Sequence, residues 1–109
     1  MSQHTVGVAV AQFAPAASRE ANLADIADAT RTAAARGARV VVFPEYSSYF
    51  VDPFDSSLAE NAEDLDGPFV QALTRLAAEL DLVVVAGLLE RADDGRHRQE
   101  VEDALERDA

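Results

Sequence analysis

An acidic side chain stands directly after a short apolar run: Val40, Val41, Val42 and Phe43 lead through Pro44 to Glu45. A carboxylate just beyond a buried strand lies at the carboxyl edge of the sheet, where open α/β folds place their ligands. In a pocket partly closed to water it suits a general base. Tyr46, Tyr49 and Phe50 follow closely. Their rings either wall a pocket beside that carboxylate or pack beneath the loop that carries them. Asp52, Asp55, Glu60, Glu63 and Asp64 come next; their spacing fits no calcium loop, and they read as a solvated acidic stretch. His4 and His97 have neither a Cys nor a second His at ligand spacing, so no metal site is expected. Gln12, near the end of the first apolar run, is expected to satisfy buried backbone groups rather than to touch a substrate.

Two absences bear directly on chemistry. The 109 residues hold no cysteine, which excludes disulfides, thiolate metal sites and a Cys nucleophile from within them. They hold no lysine either, since all nine basic residues are Arg. A formal net charge of -11 argues against nucleic acid and anionic membrane surfaces as partners. Seven acids and no base lie between Glu45 and Asp66, so most of that charge sits in one stretch. No apolar run is long enough to span a bilayer, and the opening MSQHTVGVAV lacks the basic start and cleavage site of a secretory signal. The expectation is a cytoplasmic protein of one small domain, with an apolar fraction of 49% sufficient for a core.

The elements that must position Glu45 follow from periodicity. Thr5–Phe13 alternates valines with small apolar residues, as in a strand buried on both faces of a parallel sheet. From Ser18 to Arg36, Leu23, Ile26, Ala27, Thr30, Ala33 and Ala34 recur at helical spacing. Ser18 is placed to cap the N-terminus, Glu20 falls in the first turn and Gly37 in the C′ position. Val40–Phe43 forms a second strand, and the stretch from Glu45 to Asp66 reads as irregular. Gly67 and Pro68 open a second helix with the stripe Phe69, Ala72, Leu73, Leu76, Ala77 and Leu80. Leu82–Ala86 is a third strand, ended by Gly87. Right-handed crossovers with sequential strand order place both helices on one face of a parallel three-stranded sheet. The other face is apolar and needs a cover. The segment from Arg96 onwards, RHRQEVEDALERDA, reads as a short charged helix with too little apolar stripe to stand alone.

Three blocks carry a resemblance: VGVAVAQFAP; the Asn22-containing helix running through Gly37 and Ala38 into RVVVFPEYS; and DGPFVQALTRLAAELDLVVVAGLLE. In order and spacing they resemble the N-terminal part of the nitrilase superfamily of carbon–nitrogen hydrolases, over roughly residues 5 to 90. The resemblance implies the N-terminal part of an α-β-β-α sandwich, here about three mostly parallel strands with two helices packed on one face. It implies hydrolysis of non-peptide C–N bonds in small amides, carbamoyl compounds or nitriles through a Glu-Lys-Cys thiol mechanism, with no metal and no organic cofactor. Glu45 takes the place of the catalytic glutamate. Tyr46, Tyr49 and Phe50 fall where family members line the substrate pocket, and the family implies a homo-oligomer.

After GLLERADDG the family continues with an antiparallel hairpin and a lysine-bearing loop, whereas this chain reads RHRQEVEDALERDA. Residues 1–90 are therefore read as the N-terminal portion of a hydrolase domain. Residues 91–109 are read as a divergent charged tail left by truncation or a frameshift, with no amide or nitrile turnover expected of the chain alone. The alternative is a non-catalytic interaction or oligomerisation module that uses the uncovered face of the sheet.

Overall fold

Valine-rich runs separated by amphipathic helices can satisfy their backbone and bury their side chains together only in a shared sheet. The computed structural model describes residues 5–92 and, beyond a gap, the backbone of 97–103. Its strands are β1 (Gly7–Val10), β2 (Ala38–Val42), β3 (Val83–Arg91) and β4 (His97–Asp103). The helices are α1 (Arg19–Ala35), α2 (Ser57–Glu60) and α3 (Pro68–Leu80). The protein is α/β, with sheet order β1-β2-β3-β4; β1, β2 and β3 are parallel and β4 runs antiparallel beside β3.

Local chemistry sets the helix ends. Ser18 adopts an extended backbone and its Oγ accepts a hydrogen bond from the Ala21 amide at 3.2 Å, which satisfies one of the donors that every helix start leaves over. At the other end of α1, Gly37 has φ +92° and donates to the Ala34 carbonyl at 3.0 Å. Gly67 caps α3 and Pro68 occupies its first turn, as the sequence predicts.

Register sorts the two faces. Ala9, Val41 and Val84 lie in one row, and Val8, Val40 and Val83 in the next. The first row faces α1 and α3, where Ile26, Ala33, Phe69, Leu73 and Ala77 close a core over Val41, Val84, Ala86 and Leu88. The second row lies on the open face, together with Val10, Val42 and Val85. Val6, Val8 and Val10 are 65%, 62% and 73% exposed there. Among the described residues, the far end of this face is covered, where Tyr49, Leu58 and Ala62 pack on Leu89.

Two expectations are corrected. Gly87 does not end β3. Its N–H reaches the Pro44 carbonyl at 3.4 Å and its carbonyl accepts from the Ser48 amide at 3.3 Å, so the strand runs on to Arg91. The charged helix expected after residue 96 is, over 97–103, the strand β4, paired with β3 from Val85↔Asp103 to Arg91↔His97. Helix propensity without an apolar stripe is weak, and the open backbone edge of a nine-residue strand outweighs it. The segment RADDG and the residue His4 fall at least partly outside the described residues.

Candidate active site

Glu45 owes its place to a break in a ladder. Beyond β2 the chain still pairs with β3: the Phe43 amide donates to the Val85 carbonyl at 2.8 Å and the Pro44 carbonyl accepts from Gly87. It then swings out for Glu45, Tyr46 and Ser47 and returns at Ser48. Tyr46 holds a left-handed backbone with φ 58°, a conformation costly for a bulky side chain, and its carbonyl accepts from the Tyr49 amide at 3.2 Å. The Ser47 hydroxyl, fully buried, donates to the Pro44 carbonyl inside the same turn. Glu45 rides on this excursion, at the carboxyl edge of three parallel strands, and is exposed. The water-excluding pocket expected around it is therefore not closed by the described residues. An open groove of about 720 Å³ runs elsewhere, along the free edge of β1 and the flank of α1, lined by Gln12, Phe13, Asp25, Asp28, Thr32 and Arg36 among others.

The three aromatic residues after Glu45 part company. Tyr46 and Phe50 approach edge to face with centroids 5.7 Å apart, and Phe54 joins both at 5.6 and 6.0 Å. Phe54 is 59% exposed and sequence reading passes it over, because a lone Phe amid acids carries no period. Tyr49 turns inward instead: it is buried, and its hydroxyl donates to Ser57 Oγ at 2.8 Å. Gln12 is exposed at the β1 groove, so it does not serve buried backbone groups as expected.

The acidic stretch is only partly a solvated loop. Glu63 is buried: Oε1 accepts from the Phe69 amide at 2.9 Å and Oε2 lies 3.5 Å from Arg19 Nη1. A carboxylate at the N-terminus of α3 meets both its free amides and its dipole. The Glu63 backbone also pairs with β3, donating to the Leu89 carbonyl and accepting from the Arg91 amide, each at 2.8 Å. Among the described residues no group of three or more His, Cys, Asp or Glu side chains is arranged to hold a metal ion. No helix among them is long and apolar enough to cross a membrane.

Asp55 remains at the surface with a defined task. Its carboxylate accepts from the Ser57 hydroxyl and, at 2.8 Å, from the Ser57 amide, and these bonds lower its pKa. Because the folded-state pKa lies below the unfolded one, the stabilisation is complete above the ordinary Asp range near pH 4 and is lost as pH falls through the folded value. Acidification below that range should release the Ser57 amide and then Tyr49, an effect read as a shift of the Ser57 amide resonance. An Asp55→Asn variant should remove the transition.

A one-faced helical layer over parallel strands, with a carboxylate carried just past the central one, defines an α/β protein with a candidate catalytic centre at its strand ends. The sequence profile of carbon–nitrogen hydrolases matches residues 7–102, and the chain belongs to that family. A hydrolase of Mycobacterium tuberculosis is 34% identical over 89 residues, which make up 82% of this chain and 31% of that protein. The chain thus spans about a third of the length of the curated relatives it matches. Solved structures that share the fold include the following two. One is an amidase from Nesterenkonia, a glutamate-to-glutamine mutant with acrylamide added to its active-site cysteine. It has a TM-score of 0.71 at 20% identity, with 92% of this chain and 40% of that one covered. The other is a CN-hydrolase superfamily protein from Xanthomonas campestris with an arsenic adduct in its active site (TM-score 0.67, 21% identity, 93% and 41% covered).

Proposed function

We propose that this chain supplies the general base of a carbon–nitrogen hydrolase acting on small amides or nitriles, with Glu45 as that base. The observation that carries the reading is the ladder excursion, which sets a carboxylate at the carboxyl edge of the sheet within the residues that match the family. In the reaction the family implies, Glu45 takes the proton of a cysteine thiol. The thiolate adds to the carbonyl carbon, a lysine ammonium stabilises the oxyanion, and ammonia or an amine leaves with a proton. Water then adds to the thioester and releases the acid. Residues 1–109 contain neither that lysine nor that cysteine, so both must come from other sequence, either continuous with this chain or on a separate one. Tyr46, Phe50 and Phe54 form an aromatic wall suited to the apolar part of a substrate. Tyr49 supports that wall from beneath.

The purified 109 residues are expected to release no ammonia from amides or nitriles. Turnover by this chain alone, abolished by Glu45→Gln, would overturn the assignment of roles.

The exposed valines favour a second reading, in which the open face binds another sheet as a non-catalytic module or as part of a homo-oligomer. Equilibrium sedimentation showing a folded monomer at tens of micromolar would count against it.

A further inference from the structure

On the side of β3 that faces β2, every alternate backbone group from Val85 to Arg91 has a partner. The Val85 carbonyl takes the Phe43 amide, Gly87 pairs with Pro44 and Ser48, and the Leu89 carbonyl and Arg91 amide pair with Glu63. The remaining group, the Leu89 N–H, is met by a side chain: it donates to Ser48 Oγ at 3.1 Å. A hydroxyl therefore stands in for the carbonyl that the ladder lost when the chain swung out to carry Glu45. The Ser48 carbonyl, turned away from β3, accepts from Asn22 Nδ2 at 3.1 Å. The same Asn22 amide group donates to the Ala16 carbonyl at 2.9 Å, while its Oδ1 accepts from the Ala16 amide at 2.8 Å. The Ala16 carbonyl also takes the Phe50 amide at 3.1 Å. Asn22 and Ser48 are each 1% exposed.

We propose that Ser48 and Asn22 are positioning residues for Glu45: a buried latch that ties the turn bearing the carboxylate to β3 on one side and to the start of α1 on the other. Two geometric facts carry it. Ser48 is the first residue after the excursion to regain the ladder; its amide and hydroxyl are partnered on β3 and its carbonyl on α1. Asn22 uses both amide hydrogens and its oxygen on loop backbone, none on its own helix. An apolar residue would fill either position with none of these bonds to satisfy, whereas a turn with a left-handed Tyr46 at its centre needs both ends held. The functional meaning of the latch rests on the catalytic reading of Glu45, but its existence does not.

The test is hydrogen exchange and NMR on the full 109-residue chain. Ser48→Ala should speed exchange of the Leu89, Tyr49 and Phe50 amides by about tenfold or more, while the Val41 and Leu73 amides stay within about twofold of their original rates. It should also move the backbone amide and side-chain carboxyl resonances of Glu45. Ser48→Thr, which keeps the hydroxyl, should restore both. Asn22→Asp retains the acceptor for Ala16 and loses the donors to Ser48 and Ala16; it should reproduce the effect in milder form, and it reads the same question should Ser48→Ala fail to fold. A core truncation of similar cost, Val84→Ala, should leave the Glu45 resonances in place. Uniform acceleration across all amides, an unchanged Leu89 amide, or Glu45 resonances that move no more than in Val84→Ala would each overturn the latch. Failure of the catalytic reading would appear in turnover alone, so the two are distinguishable.

Discussion

Phe69→Ala is expected to lower the unfolding free energy by about 3–5 kcal/mol, against a total of about 5–15 kcal/mol for an ordinary domain. Phe69 is fully buried at the start of α3 and belongs to the cluster that joins both long helices to the sheet. Truncation forfeits the transfer energy of the ring and opens a cavity that neighbours fixed on separate elements cannot close. The loss weighs more here because one face of the sheet contributes little: Val6, Val8 and Val10 keep most of their surface in water. The urea midpoint, followed by far-UV circular dichroism, should fall sharply with little change in slope. A loss below about 1 kcal/mol would mean that α3 does not pack on the sheet as described.

The parts of this architecture that rest on short-range chemistry were legible in the chain. Ser18, Gly37 and the Gly67-Pro68 pair mark helix ends because each supplies a local need: an acceptor, a positive φ or a missing N–H. The valine runs announce a parallel sheet, and the residue after Pro44 announces its edge; burial of Thr5–Phe13 on both faces does not hold, since Val6, Val8 and Val10 stay exposed on the open face. What could not be read depends on partners distant in sequence. Leu88 and Leu89 continue β3 past Gly87 because Pro44, Ser48 and Glu63 offer backbone to that edge, a condition no window around Gly87 contains. The strand 97–103 has the composition of a solvated helix, and only an adjacent strand makes it extended. Glu63 lies among acids that do face water, yet it alone meets the start of α3 and Arg19. At the site the carboxylate was legible, and the residues that hold it were not. Asn22 was visible only as part of a helix, and Ser48 as an unremarked Ser in a loop.

For Glu45 itself the expected effect is larger still. Removing a general base that activates a nucleophile costs about 10²–10⁴-fold in rate. Glutamine keeps the size and hydrogen bonding of the side chain but cannot take a thiol proton. The assay needs the lysine and cysteine that these residues lack. Joining residues 1–102 to the remaining part of the Nesterenkonia amidase, whose fold this chain shares, would supply that protein's active-site cysteine and, on the mechanism proposed, the lysine. Glu60, an exposed acid in the same acidic stretch outside the proposed chemistry, provides the control. The decisive measurement is ammonia release from a short aliphatic amide by this fusion, by its Glu45→Gln form and by its Glu60→Gln form. The account predicts turnover in the first and third and a loss of about 10²-fold or more in the second. Turnover by the Glu45→Gln fusion within about twofold of its parent would contradict it, since a base can be dispensable only where it is not the base.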